Sequence, residues 1–345
     1  MENKLNISTD SVQSGPPANI LVDKFGRNFN YLRIAVNEVC NLRCIYCMPE
    51  QGLDFKSPAH LLQDEEIIRI LKISAELGVN KIRFTGGEPL LYPRLPQLIK
   101  AAVSMGSINS VNLTTNGILL EQRAASLKKA GLAGLNISLD TLQEKKFGQI
   151  TRRNELSRVL NGLEAAKSLH FSSLKINIVV MKGFNDDELF NFVELTRDYP
   201  LTVRFIELMP FDSHQIWKTG KFLSGDHILE KLTHKYPVLE KAVGTRTEYN
   251  IFQIPEYEGK VAIIPAFSRT ICQLCNRLRI TADGKIRNCL FAHNEIDILQ
   301  HMRQGGTDLE ISAMLRSAMW NKHENGWAAQ KTGRELRPSM AQIGG

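Results

Sequence analysis

The 345-residue chain holds six cysteines, and they fall into two triplets with none left over: Cys40, Cys44 and Cys47, then Cys272, Cys275 and Cys289. Clustered thiols in a signal-free chain of this size are more often metal ligands than disulfide partners, since 43% hydrophobic residues can build a core without covalent staples. In the first triplet, three and then two intervening residues let three thiolates converge on one face of a cubane iron–sulfur cluster and leave its fourth iron without a protein ligand. An open iron is a place for a cofactor or substrate. Structural zinc wants four ligands, and the nearest histidine, His60, lies 13 residues beyond Cys47. In the second triplet, His293 stands four residues after Cys289 and can complete a Cys3His zinc site. Zinc and an iron–sulfur cluster both remain open there.

Other residues with chemical potential lie close to these thiols. Gly86 and Gly87, ahead of Glu88-Pro89, lack Cβ atoms and let the backbone approach a ligand. Arg277 and Arg279 alternate with Leu278, so in an extended segment both guanidinium groups face one side, where they can clamp phosphate or nucleobase oxygens. A solvated surface pair is the plainer alternative. Asp283-Gly284 reads as a tight hairpin turn just beyond. The net charge of +7 suits an anionic partner without saying which.

The elements that must position these residues follow an alternating pattern. Six β-rich runs, at 31–36, 81–84, 111–115, 135–139, 175–181 and 203–208, alternate with amphipathic segments, as expected of parallel β/α units. The segment 64–77 puts Ile67, Ile68, Leu71 and Ala75 on one helical face and stops at Gly78. Asp186 and Asp187 are expected to cap a helix through Leu189, Phe190, Val193 and Thr196. Nearly every run is followed by polar residues, and in β/α barrels the catalytic groups collect at those carboxyl ends. The predicted fold is α/β: an open, incomplete parallel barrel of about six units over 21–240. A mobile leader is expected over 1–20, and a carboxyl-terminal cluster-binding domain over 241–345 is expected to cover the barrel mouth. No run approaches the roughly 18 apolar residues of a membrane span, and no signal pattern opens the chain, so a cytoplasmic protein is expected.

At the first triplet, with Tyr46 ahead of its last cysteine, the chain resembles the radical S-adenosylmethionine (SAM) enzymes. The second triplet narrows the resemblance to the GTP 3′,8-cyclase family, over 21–345. It is carried by Leu32-Arg33, Lys81-Ile82-Arg83 running into Thr85-Gly86-Gly87-Glu88-Pro89-Leu90, Thr114 to Gly117, Ser138 to Asp140, Arg204 to Pro210, both triplets, and the terminal Gly344-Gly345. The resemblance implies two [4Fe-4S] clusters, one on each triplet, and SAM bound by the open iron of the first. It implies SAM contacts at Tyr46, Gly87, Ser138 and Met209, and GTP contacts at Arg33, Lys81, Arg83, Thr114, Lys175, Arg204, Arg277 and Arg279. The implied reaction is that of a lyase: a deoxyadenosyl radical takes hydrogen from ribose C3′, and the ribose radical attacks guanine C8. The product, 3′,8-cyclo-7,8-dihydro-GTP, begins molybdenum cofactor biosynthesis and passes to a cyclic pyranopterin monophosphate synthase. An electron donor such as flavodoxin or ferredoxin, a homodimer, and a tail ending in Gly344 and Gly345 that threads toward the site are implied as well.

The chain departs from the family pattern at Asn37-Glu38-Val39, where Thr-Asp-Arg is common, at Tyr92-Pro93, and loosely over 323–330. Two other readings compete. A two-cluster radical SAM enzyme acting on peptides should lack the combination of Arg277, Arg279 and the terminal glycines. A zinc-stabilised nucleic-acid-binding protein would use the basic charge, but no zinc finger, recognition helix or RNA-binding sheet motif is present.

Overall fold

Apolar residues with strong strand preference build the centre of the molecule. The computed structural model describes residues 19–209, 219–244, 250–331, 337 and 339–344. Six strands follow one another: β1 (Tyr31–Ala35), β2 (Lys81–Thr85), β3 (Ser110–Thr115), β4 (Gly134–Ser138), β5 (Ser173–Val180) and β6 (Thr202–Glu207). Between them run the helices α1 (Asp64–Glu76), α2 (Leu95–Val103), α3 (Leu120–Lys129), α4 (Glu144–Thr151), α5 (Leu156–Ser168) and α6 (Leu189–Glu194). All six strands pair in parallel with their sequence neighbours, as β/α crossovers require. In β5 the two-residue period sends Leu174, Ile176, Ile178 and Val180 into the core, leaving Lys175, Asn177 and Val179 on the opposite face.

The carboxyl-terminal third continues this sheet at both edges. It supplies α7 (Gly225–Lys235), β7 (Glu240–Lys241), β8 (Ile251–Gln253), β9 (Lys260–Ile264), β10 (Arg277–Ile280), β11 (Lys285–Arg287) and β12 (Ile296–Asp297). Three helices follow: α8 (Ile298–Arg303), α9 (Asp308–Trp320) and α10 (Gly326–Lys331). β9 pairs in parallel with β6, and β10 in parallel with β1, so the sheet order is β12-β11-β10-β1-β2-β3-β4-β5-β6-β9-β8-β7. Its two edges do not pair, so the barrel stays open. The expected turn at Asp283-Gly284 links antiparallel β10 and β11, with Gly284 at φ 67°.

Two local expectations need correction. The buried apolar residues of α1 are Ile67, Ile70, Leu71 and Ile73, with Ile68 and Ala75 only half-buried, and the helix packs against α2 and α9. Asp186 and Asp187 do not cap α6, whose N-cap is Glu188 and carries no side-chain cap. Asp186 accepts from the Gly183 amide and pairs with Lys231, while Asp187 pairs with Lys146. The leader lies outside the described residues apart from its last two positions, and so do Pro210 and Gly345. No helix among the described residues is long and apolar enough to cross a membrane.

Candidate functional site: two thiol triplets facing one cavity

The carboxyl ends of the parallel strands open into a cavity of about 360 Å³, and all six cysteines line it as free thiols. The loop carrying the first triplet is fixed from three sides. Its Arg43 and Ile45 amides donate to the Thr151 and Ile150 carbonyls at the end of α4, at 3.0 and 2.8 Å, and the Cys47 amide donates to the Cys44 carbonyl at 2.9 Å. On another side, the Gly87 amide donates to the Asn37 carbonyl at 3.0 Å and the Glu88 amide to the Val39 carbonyl at 2.7 Å. A Cβ on Gly87 would sit 2.3 Å from the Val39 carbonyl oxygen. The glycine pair therefore does more than approach a ligand: it lets the strand β2 turn lie flat against the segment that delivers Cys40. Asn37, one of the departures from the family pattern, takes part, its Nδ2 donating to the Glu88 carbonyl at 3.0 Å.

Buried carboxylates hold the rest of this wall. Glu88, 1% exposed, accepts from Thr115 Oγ1 and from the Asn116 and Leu90 amides at 2.7, 2.7 and 2.9 Å. Burial outweighs these donors and lifts its carboxyl to about 7. Asp140 accepts from the Tyr46 hydroxyl at 2.5 Å and the Val179 amide at 2.7 Å. Tyr46, Gly87, Ser138 and Met209 all line the cavity, and Met209 packs into the same apolar cluster as Cys289 and Met340. The Cys44 and Cys40 thiols are raised chiefly by burial, Cys40 to about 12.

Opposite stands a row of cations. Parallel register places Arg83, Arg33 and Arg279 side by side on β2, β1 and β10, and Lys81, Tyr31 and Arg277 side by side two residues earlier. Arg33, Thr114, Arg277 and Arg279 line the cavity; Lys81, Arg83, Lys175 and Arg204 do not. Arg83 donates to Tyr31 and to the Leu113 carbonyl and Thr114 Oγ1 at 3.0 and 3.3 Å, and Lys81 lies over the Tyr31 ring. Arg204 donates to Asn177 Oδ1 from Nε at 2.8 Å, and Asn177 lines the cavity. Burial, then the repulsion of Arg279, pushes Arg33 well below the usual arginine range, and burial with Arg277 brings Arg279 down to about 10. Burial alone would raise Tyr31, but Arg83 and Arg33 outweigh it and hold the phenol near 7. Such crowding of like charges in a buried wall is unfavourable until a polyanion binds.

The second triplet adjoins these arginines. Cys272 and Cys275 sit on one turn, the Cys275 amide donating to the Cys272 carbonyl at 3.2 Å, and Cys289 follows β11. Arg27, paired with Asp23, donates to the Cys272 carbonyl at 2.9 Å. Burial would raise Cys275, but Lys322 and Arg277 outweigh it and bring the thiol to about 7. Among the described residues no three His, Cys, Asp or Glu side chains close into a group that could hold a single metal ion. Zinc needs its sulfur ligands about 2.3 Å from one point, whereas a cluster takes one thiolate on each of several irons. Three thiols around the wall of a roomy cavity fit the cluster, at both ends. His293, the proposed fourth zinc ligand, directs Nε2 to the Gln330 carbonyl at 3.1 Å.

The carboxyl-terminal tail packs against the first triplet. Ser339 Oγ lies 3.9 Å from Cys47 Sγ, and the Met340 and Ala341 amides also bond that thiol. Gly344 sits at φ 76°, and a Cβ there would lie 3.1 Å from Thr85 Oγ1 and 3.3 Å from Ala35 Cβ. Two cavity-lining cations escaped the sequence reading, Arg269 and Lys322; each stands alone in the sequence with no spacing pattern to mark it.

The chain is similar to known proteins over both of its portions. Residues 34–196 match the Radical SAM superfamily and residues 201–327 match the family described as Molybdenum Cofactor Synthesis C. A GTP 3′,8-cyclase from Chlorobaculum tepidum is 43% identical over 94% of this chain and 97% of its own. The Molybdenum cofactor biosynthesis protein 1 of Homo sapiens is 40% identical over 90% of this chain, which spans about half (49%) of that longer protein. Among solved structures, Streptococcus suis SuiB bound to S-adenosylmethionine superposes with a TM-score of 0.58 at 15% identity, over 84% of this chain and 68% of its own, a likeness of fold.

Proposed function

The chain belongs to the radical SAM superfamily and, within it, to the GTP 3′,8-cyclases, and from that premise we propose how its residues share the work. It is a radical SAM enzyme that cyclises GTP in molybdenum cofactor biosynthesis, and it uses a [4Fe-4S] cluster and SAM. When bound, these supply a deoxyadenosyl radical that takes hydrogen from ribose C3′, after which C3′ bonds to guanine C8 and one electron and one proton complete an isomer of GTP.

In our reading Cys40, Cys44 and Cys47 hold that cluster, and Tyr46, Gly87, Ser138 and Met209 seat SAM. Cys272, Cys275 and Cys289 hold a second cluster whose open iron receives the guanine. Arg33, Thr114, Arg277 and Arg279 meet the nucleotide directly, while Lys81, Arg83, Lys175 and Arg204 add charge from behind the wall. The division into a barrel portion, 21–240, and a substrate portion, 241–345, follows the same split of roles. A low-potential electron donor of the flavodoxin or ferredoxin class, transfer of product to a separate synthase, a homodimer and a cytoplasmic setting belong to this proposal as well.

The observation that carries the reading is the pair Arg33 and Arg279, aligned by strand register and lining one cavity with the thiols, with Arg83 next in the row behind the wall. A peptide brings only scattered carboxylates to such a row, whereas a triphosphate concentrates about four negative charges beside it. Anaerobic protein incubated with SAM, GTP and a strong reductant should give 5′-deoxyadenosine and a cyclised product of unchanged mass. Deoxyadenosine formed without any GTP isomer would point to the peptide-modifying alternative.

A further inference from the structure

Two buried cations stand apart from the arginine row and against the second triplet. Arg269, 4% exposed, precedes Cys272 by three residues with its backbone in the left-handed region at φ 58°. Its guanidinium lies between two rings, 3.5 Å from the centre of Phe291 and 3.8 Å from that of Trp327. Nη2 donates to Gln330 Oε1 at 2.7 Å, but Nε and Nη1 have no hydrogen-bond partner. Gly326 makes the stack possible, since a Cβ there would lie 2.8 Å from the Phe291 ring and 2.9 Å from Arg269 Cδ. Lys322, 5% exposed, reaches in from beyond α9, bonds the carbonyl of Asn288 next to Cys289, and lies 5.3 Å from the centre of the Phe29 ring.

Both cations line the cavity together with Cys272, Cys275 and Cys289, Arg269 three residues ahead of Cys272 and Lys322 on the carbonyl that precedes Cys289. The cavity wall around Cys40 and Cys44 carries instead the buried carboxyl groups of Glu88 and Asp140. A desolvated guanidinium held by two aromatic faces, with two donors unmatched, costs stability in the folded chain. That cost is offset when negative charge arrives beside it. Because the stack fixes the guanidinium in place, it suits a resident anionic group better than a triphosphate that comes and goes.

We propose that Arg269 and Lys322 are positioning residues for the second cluster, supplying the fixed positive charge that offsets its three thiolates and raises its reduction potential. This rests on the reading that the second triplet carries a cluster. Adding an electron makes that cluster more negative, so nearby cations favour the reduced form and shift the potential upward.

The test uses the full chain, purified anaerobically in a Cys44→Ala background so that the second cluster is read alone. Arg269→Met keeps an apolar stem between the rings without the charge, Lys322→Met does the same at the other cation, and Arg269→Lys restores charge without the fork. Potentials come from a spin-resonance-monitored redox titration, and GTP affinity from equilibrium binding. The expected result is a downward shift of potential in each methionine variant, a larger shift in the double variant, and recovery in Arg269→Lys. If methionine variants fail to load iron and Arg269→Lys restores loading, the charge requirement is again supported. Two outcomes overturn the inference alone: potentials unmoved in cluster-loaded methionine variants, or weakened GTP binding with no shift of potential. A parent protein with iron and sulfide for only one cluster, the first, would overturn the underlying reading and this inference with it.

Discussion

Nη1 of Arg279 donates to the main-chain carbonyl of Gly344 at 3.1 Å, joining the carboxyl-terminal tail to the arginine row that faces the cavity. The tail also touches Cys47 through Ser339, so one short segment links the first thiol site to the arginine row. Deleting Gly344-Gly345 should lower cyclisation on the order of tenfold, equivalent to about 1.4 kcal/mol in the barrier. Both clusters should stay loaded, as iron and sulfide analysis would report. Undiminished cyclisation by the truncated protein would leave the tail as packing alone.

The two triplets should fail differently. Cys44→Ala should abolish SAM cleavage and leave about four irons per chain on the second triplet. Cys275→Ala should also leave about four irons, with deoxyadenosine still formed but no cyclised product. Mass analysis of the small molecules separates the two patterns, and identical patterns would contradict the division of roles.

Gly87→Ala tests the fit between the β2 turn and the cysteine loop. Its Cβ would meet main chain, 2.3 Å from the Val39 oxygen and 2.4 Å from the Glu38 oxygen, and no side chain can swing aside to relieve it. A loss of about 3 kcal/mol in stability is expected, with weakened loading of the first cluster ahead of the second. Calorimetric melting and spectra of the loaded protein would reveal it.

Asp283 gives a pH signature. Burial would raise its carboxyl, but Arg337, Lys56 and Thr281 outweigh burial and bring it from 3.8 to about 2. A carboxyl depressed on folding contributes stability that is present above about pH 4 and lost as the pH falls toward 2, here about 2 kcal/mol. Arg337 also pairs with Glu295 at 2.6 Å and donates to the Gln342 carbonyl at 3.0 Å, so the same contact ties down the tail. Urea unfolding of cluster-free protein should show Asp283→Asn less stable at pH 5 and flatter between pH 4 and 2. Parallel curves for the two proteins would refute the assignment.

The six central strands were legible because each buries apolar residues in a short run followed by polar ones, a local signal. So was the pairing of Arg277 with Arg279 on one face, which follows from the pleat alone. The strands that extend the sheet on either side were not legible: β9 and β10 join β6 and β1 across long stretches of chain, and their partners are set by packing. The cap proposed at Asp186 and Asp187 failed because Lys231 and Lys146 compete for those carboxylates, and nothing local announces either lysine. Glu188 reaches back instead to Thr141 and the Leu142 amide. Arg123 was equally hidden. It donates from α3 to the Tyr92 and Pro93 carbonyls at 3.1 Å and so secures that turn.

The central claim, that SAM cleaved at the first triplet acts on GTP held at the second, is tested most directly by isotope transfer. GTP carrying deuterium at ribose C3′ would be turned over once with SAM under reducing conditions, and the 5′-deoxyadenosine analysed by mass. The account predicts one deuterium in the deoxyadenosine and none remaining at C3′ of the product. Deoxyadenosine free of deuterium, formed together with cyclised product, would contradict it.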